Sequence, residues 1–216
     1  VFTGRDPAKV TEAEKKYRAK FPNVNILGCA IDSLLDERTV DEEGIAEMFN
    51  FLDEKGIFIE TLVLNAADQG LGQKIFENPI TDMMKVINTN VVWNYCLCEH
   101  AAARMKEQGG GNIVFINSNT AYRAIPDRVA YVASKGGQLG LMRALTIDLG
   151  KYNIRVNAVL PGMIRTDRWE KNPDFYRDVP SRFTPIGDVA TGADVADAVW
   201  YFAECARNTT GAELVV

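Results

Sequence analysis

The chain has 216 residues, 24 basic and 29 acidic, for a formal charge of -5, and 47% of them are hydrophobic. This composition suits one globular domain with a full core and excludes a disordered tail, a mucin-like stalk and a coiled coil. The acidic balance argues against nucleic-acid binding through phosphates, and no apolar run approaches the roughly 20 residues of a membrane span.

In chain order, Val1–Thr3 reads as the end of a strand turned by Gly4. Residues 7–20 read as a helix with Val10, Ala13 and Tyr17 on one face, starting near Pro7 and broken by Pro22. Its lysines are interleaved with Glu12 and Glu14, as on a solvated face. Val24–Ala30 is a short strand, and Asp32–Ser33 is a turn or cap. Val40–Lys55 has helical spacing, with Ile45, Met48, Phe49 and Leu52 in one stripe and Gly56 past its end. Thr61–Leu64 is a continuous apolar strand, as in a parallel sheet covered on both faces. Residues 79–107 are helical from Pro79 and stop at Gly109–Gly111. Ile113–Asn117 is a strand, residues 128–149 a second long helix ended by Gly150, and Ile154–Val159 a strand closed by Pro161–Gly162. Residues 165–185 contain Pro173, Pro180 and Pro185, lack a period and read as a mobile loop with helical pieces. Asp194–Ala206 is a helix and Glu213–Val216 a last strand.

Strands and helices alternate with no composition break and no repeat. That predicts a single α/β domain, a mostly parallel sheet wound on both faces. The second long helix carries Leu139, Leu141, Met142, Leu145, Ile147 and Leu149, an apolar face wide enough to meet the sheet and a partner subunit.

Four cysteines (Cys29, Cys96, Cys98 and Cys205) form no CxxC pair, and His100 is the single histidine, so neither a structural zinc site nor an HExxH site is expected. Three of the thiols sit in apolar surroundings. Reduced cysteines without a visible secretory signal predict a cytoplasmic protein.

The chemistry-bearing pattern is Tyr131-Val-Ala-Ser-Lys135. The phenol and the ammonium lie at i and i+4, one turn apart on one helix face. An ammonium beside a phenol stabilises the phenolate, so it is expected to lower the phenol pKa and let it pass protons near neutral pH. Thirteen residues earlier, Ser118 follows the strand Ile113–Asn117, where functional groups of α/β sheets collect. Asn65 and Pro161–Gly162 lie at similar strand ends, and Asn157 within its strand. Each alone also reads as a cap or turn residue.

Taken together, these residues resemble the short-chain dehydrogenase/reductase family over essentially the whole chain. The string YVASK matches the family's YxxxK, Ser118 its serine, and Asn90 in VINTNVV its helix asparagine. Leu64-Asn65-Ala66-Ala67 is similar to NNAG, Asp32 to the aspartate beside the adenine, and Arg155-Val-Asn157 through Pro161-Gly162 to RVNxxxPG. Thr166 matches the threonine that reaches the nicotinamide amide, and Thr210-Gly211 with Leu214-Val215-Val216 the last strand. The resemblance implies a Rossmann-like doubly wound fold and hydride transfer between NAD(P)H and a carbonyl, reversible to a secondary alcohol, with no metal. Tyr131 would be the general acid and base, Ser118 would hold the substrate oxygen, and Lys135 would lower the Tyr131 pKa and hold the ribose. Asn90 would hold a water linking Lys135 to solvent. Cofactor contacts are implied for Gly4, Arg5, Asp32, Ser33, Asn65, Ala66 and Ala67. They are implied too for Tyr131, Lys135, Pro161, Gly162, Ile164 and Thr166. Homotetramers or homodimers are the implied assembly.

Several positions depart from the family pattern. Leu64 and Ala67 replace an asparagine and a glycine, Asn117 replaces the first of two serines, and Asp188 stands where a basic residue is common. No TGxxxGxG string occurs, so the first strand, the glycine-rich loop and the first helix, about 30–40 residues, are expected to precede this sequence. Several residues beginning with DGG are expected after it. A cut fragment is the other explanation. At residues 3–6 (Thr-Gly-Arg-Asp), Gly4 stands where an acidic residue would select NAD, and Arg5 suits a 2′-phosphate, so NADP(H) is favoured unless Asp6 points inward. The 165–185 segment is expected to shape the substrate pocket with residues 119–127. Met163, Trp169, Phe175, Tyr176 and Phe183 would supply apolar bulk, and Arg165, Arg168, Arg177 and Arg182 possible anion contacts. A hydrophobic or cyclic ketone, a 3-oxoacyl thioester and a sugar fit about equally. A catalytically silent nucleotide-binding regulator or scaffold, or a non-enzymatic fragment, is the alternative from another class.

Overall fold

The computed structural model describes residues 1–171, 173–176 and 184–216, and the side chains among these apart from 168, 170, 175 and 176. The readings placed on the side chains of Arg168, Phe175, Tyr176, Arg177, Arg182 and Phe183 lie outside that set, as does Pro180. The first half holds β1 (Phe2–Gly4), α1 (Pro7–Lys20), β2 (Gly28–Ala30), α2 (Glu42–Glu54), β3 (Thr61–Leu64), α3 (Ile80–Ile87) and α4 (Trp93–Gln108). The second holds β4 (Gly111–Ile116), α5 (Val129–Leu149), β5 (Ile154–Leu160), β6 (Ile164–Arg165), α6 (Asp167–Lys171) and α7 (Pro173–Tyr176). It closes with β7 (Ala190–Thr191), α8 (Gly192–Trp200) and β8 (Glu213–Val215).

Short polar side chains start α1, α2 and α8. Asp6 caps α1 by accepting from the Ala8 and Lys9 N–H groups at 2.9 and 3.3 Å, with Pro7 following it. Asp41 caps α2 through the Gly44 N–H. Before α8, the Asp194 carboxylate accepts from the backbone and hydroxyl of Thr191. α4 stops at Gly109, whose φ of 87° is left-handed and lets the chain turn into β4.

β3, β4, β5 and β8 form a parallel sheet in that order, with Leu64 opposite Phe115, Ile116 opposite Val159 and Leu160 opposite Val215. β1 and β2 form a separate parallel pair, and among the described residues β1 and β3 each bond on one side only. A small pair, β6 with β7, was not anticipated from sequence. The strand read at Val24–Ala30 shortens to Gly28–Ala30, because the residues before it lack a ladder partner.

Alternation along β4 divides the core. Ile113 and Phe115 pack with Ile154, Val156, Ala158 and Leu160 against Leu97, Ala101, Met105, Leu139 and Met142. The same cluster takes in Ile31, just past β2, with Val40, Ile45 and Phe49, so α2 and the end of β2 reach one core with the four-stranded sheet. Val114 and Val159 face the other way, toward Ala198 and Phe202. Helices therefore cover both faces of a Rossmann-like parallel sheet in a single domain. No helix among the described residues is long and apolar enough to cross a membrane. None of the four cysteines is bonded to another; Cys98 is buried, Cys29 and Cys96 are half-buried and Cys205 is exposed.

Two helices contain a π turn, at Asn88–Val92 between α3 and α4 and at Tyr201–Cys205 after α8. Arg155 on β5 ties the second to the sheet, donating to the carbonyls of Phe202 at 2.6 Å, Ala206 at 3.1 Å and Ala203 at 3.2 Å. Replacing Arg155 by Met keeps the stem and removes these donors. The expected loss is about 2 kcal/mol, or 4–8 °C in thermal midpoint. An unchanged midpoint would mean that water satisfies those carbonyls equally well.

Candidate active site

All four strands of the larger sheet run the same way, so Asn65, Ser118, Pro161 and Val216 come to one edge from four separate stretches of chain. α5 starts beside this edge. Its residues Tyr131, Lys135 and Gln138, spaced by four and three, share a helix face.

Ser118 is buried, and its oxygen accepts from the Thr120 N–H at 3.2 Å and the Thr120 hydroxyl at 3.0 Å. The hydroxyl proton is left to donate, on the side of the Tyr131 phenol. Burial pushes the phenol above its ordinary pKa, while the neighbouring Ser118 hydroxyl and the Arg128 charge act against that. The structure thus differs from the sequence expectation of a lowered pKa. The Lys135 ammonium lies 5.6 Å from the phenol ring centroid and is directed elsewhere.

Lys135 is 2% exposed, and burial pulls its pKa down to about 8. Its Nζ donates to the Ile116 carbonyl at 2.9 Å and to Gln138 Oε1 at 3.0 Å. Asn117, just past β4, donates from Nδ2 to the Lys135 carbonyl at 2.9 Å and to Gln138 Oε1 at 3.2 Å. Its own Oδ1 accepts from the Ser118 N–H at 2.7 Å. The asparagine that replaces a family serine therefore holds both Ser118 and α5.

Asn90, fully buried in the first π turn, fixes the loop after β3. Its amide exchanges two hydrogen bonds with the backbone of Asp68, at 2.7 and 2.8 Å, and donates to Ser134 Oγ at 2.9 Å. Ser134 in turn donates to the Tyr131 carbonyl. Sequence reasoning missed Gln138, Asn117 and Ser134. The signal for Gln138 was available as a lone amide on the Tyr131 and Lys135 face.

The remaining positions divide. Asn65, Ala66, Ala67, Met163, Arg165 and Thr166 are exposed along the edge, Ile164 is half-buried, and Pro161 is buried. Asp32 is exposed at the end of β2 and accepts from the Ser33 N–H, while Ser33 is buried against Thr89. Gly4 ends β1 flush against α1, where an added Cβ would lie 2.8 Å from Val10 Cγ2, and Arg5 is exposed beyond it. Asn157 lies away from the edge, joining β5 to the Thr209 carbonyl and the Ala212 N–H. Arg165 is ion-paired with Asp188, which accounts for the acidic residue there. Among the described residues no cluster of histidine, cysteine, aspartate and glutamate could hold a metal.

A family model described as enoyl-(acyl carrier protein) reductase matches residues 36–216. An uncharacterised oxidoreductase of Thermotoga maritima is 33% identical over 183 residues, 82% of this chain and 71% of that protein. A 3alpha-hydroxysteroid dehydrogenase of Mediterraneibacter gnavus is 32% identical over 210 residues, 96% of this chain and 80% of the other. The crystal structure of a putative gluconate dehydrogenase from Agrobacterium tumefaciens superposes with a TM-score of 0.86 at 31% identity, covering 99% of this chain and 82% of that one. A 7 alpha-hydroxysteroid dehydrogenase complexed with NADH superposes at 0.83, with 26% identity, 99% of this chain and 82% of that one. A serine, a tyrosine and a lysine thus meet at the carboxyl edge of a parallel sheet, in a chain whose relatives are dehydrogenases and reductases, and the protein is an oxidoreductase of the short-chain dehydrogenase/reductase family.

Proposed function

We propose that the chain interconverts a carbonyl and a secondary alcohol with NADP(H), Tyr131 carrying the proton. The observation that carries this reading is the Ser118 hydroxyl, with its proton free to donate, beside the Tyr131 phenol at the strand-end edge, and Lys135 one turn behind. Residues of that edge fit a nicotinamide dinucleotide. Asp32 and Ser33 suit its adenine side, Asn65, Ala66 and Ala67 give small exposed backbone, and Pro161, Gly162, Ile164 and Thr166 suit its nicotinamide side. A Cβ on Gly162 would lie 3.3 Å from Asn119 Nδ2, so the bare backbone keeps that wall open. The bound cofactor supplies the hydride in reduction and accepts it in oxidation.

Ser118 offers its free proton to the substrate oxygen and stabilises the charge that develops there. Tyr131 donates a proton in reduction and takes it back in oxidation. Lys135 keeps positive charge behind the ring, favouring the phenolate. Asn90 positions the set by holding the Asp68 loop and Ser134 together. The substrate is a hydrophobic or cyclic ketone, a 3-oxoacyl thioester or a sugar. Exposed Val92 in the first π turn, Tyr95 on α4, and Val129 and Ile147 on α5 support a dimer or tetramer contact. We also propose a cytoplasmic location.

Preference for NADP(H) is supported by Arg5 and by the engagement of Asp6. That carboxylate caps α1, so it is occupied by backbone N–H groups next to the position where a 2′-phosphate would bind. Fluorescence titration of the Arg5→Ala variant is expected to raise the NADPH Kd by about 10–100-fold and the NADH Kd by less than about 3-fold. Equal losses for both nucleotides would remove the 2′-phosphate role. NADPH oxidation by the wild type against a panel of these three carbonyl classes tests the reaction itself. Nucleotide binding without turnover of any carbonyl would favour the silent-regulator alternative.

A further inference from the structure

Gln138 is fully buried and makes three side-chain hydrogen bonds. Its Oε1 accepts from Lys135 Nζ at 3.0 Å and Asn117 Nδ2 at 3.2 Å, and its Nε2 donates to the Asn90 carbonyl at 2.7 Å. One amide thereby joins α5, the residue after β4 and the first π turn. The Asn90 carbonyl also accepts from Asn94 Nδ2 at 2.8 Å, so two side-chain amides converge on it. The connection from Lys135 to Asn90 runs through Gln138. An apolar side chain of this size would be buried here at lower desolvation cost, so the amide stabilises through its partners.

We propose that Gln138 is a positioning residue of the active site, its amide standing between the Lys135 ammonium and the Asn90 carbonyl and anchoring the ammonium at the end of β4. The proposal rests on the reading of Tyr131 and Lys135 as the catalytic pair. The groups facing the ammonium are few. Its own helix presents the Tyr131 ring, β4 the Ile116 carbonyl, and the turn after β4 the neutral Asn117. The π turn presents neutral Asn90, and Asp68 touches Asn90 through its backbone while its carboxylate meets Lys85 and the Gly70 N–H. Among the described residues no carboxylate forms an ion pair with Lys135. Among the described residues, the amide oxygen and the Ile116 carbonyl are the acceptors that hold this buried charge.

Changing Gln138 therefore moves Lys135 in a direction set by the replacement. In the full chain labelled with carbon-13 at the lysine ε carbons, the Lys135 signal is assigned by its loss in Lys135→Met and titrated by NMR. Gln138→Leu removes an acceptor, and the Lys135 midpoint is expected to fall by about one unit. Gln138→Glu puts a carboxylate against the ammonium, and the midpoint is expected to rise by about one unit or more. A residue that only fills space would not produce opposite shifts. A midpoint within about 0.3 units of the wild type in either folded variant overturns the proposal, so one folded variant suffices. In Gln138→Leu, kcat is further expected to fall about tenfold with KM changed less than about twofold, as for a group acting through the proton donor. Tyr131→Phe is measured beside them. If it keeps turnover, the proton-donor reading fails while the NMR result on Gln138 stands. If it is inactive and the Lys135 titrations superimpose, the Gln138 proposal alone fails.

Discussion

Tyr131→Phe is expected to lower kcat roughly 10³-fold, because it removes the proposed proton donor to the substrate oxygen. The nucleotide Kd is expected to stay within about 3-fold, since the phenol hydroxyl contributes little to a large cofactor surface. Folding is expected to be almost unaffected. The ring remains, and Ser118 keeps its two bonds from Thr120. Steady-state kinetics in both directions, with a nucleotide titration, read these effects apart. With Tyr131 as the proposed base, oxidation by the wild type is expected to speed up with pH through the Tyr131 titration. Burial moves that limb up, and the Ser118 hydroxyl and Arg128 move it back. Turnover of the phenylalanine variant above about a tenth of wild type would remove Tyr131 as the proton donor.

Lys135→Met should separate catalysis from stability. Turnover is expected to fall about 10²-fold, because the phenolate loses its cationic neighbour. Stability is expected to hold or rise at pH 7. Lys135 is pulled from the usual 10.5 to about 8, so the folded protein holds its proton less tightly than the unfolded chain does. Below about pH 8 the group costs folding about 3 kcal/mol, and that cost fades as pH rises from about 8 to 10.5. Methionine of similar length removes the buried charge and leaves the Ile116 carbonyl and Gln138 Oε1 each short of one donor, a partial offset. The wild type should therefore gain on the variant as pH rises through that window. Urea unfolding of both proteins at pH 7 and pH 9.5 measures the difference. Parallel pH dependences would show that the ammonium is solvated rather than buried.

Much of the fold was legible because hydrophobic periodicity is local. The stripe Ile45, Met48, Phe49 and Leu52 became α2, and Thr61–Leu64 became β3 with the bounds read from sequence. The helix read at 79–107 spans Ile80 to Gln108, but it is interrupted at Asn88–Val92. A π turn adds one residue to a turn, and no residue type there signals it. What holds it is tertiary: the buried Asn90 amide bonded to the Asp68 backbone and its carbonyl bonded to Gln138. The pair β6 and β7 escaped for a related reason, since two-residue strands carry no period.

The chain alone determined which groups share a helix face, because the spacing of Tyr131, Lys135 and Gln138 is a property of the helix. It also determined which residues end strands, and hence that Asn65, Ser118 and Gly162 lie on one edge once the strands are parallel. Only the folded molecule decided what each group faces. Asp6 turned out to be committed to a helix cap, and Arg165 to Asp188. Asn117 reaches the Lys135 carbonyl, and Lys135 the Ile116 carbonyl, between elements that meet only when α5 packs on the sheet. The ammonium points at the end of β4, and the phenol, deprived of water, is pushed up. Partners and desolvation depend on distances between segments far apart in the chain, whereas periodicity and spacing do not, and that is where the two kinds of information part.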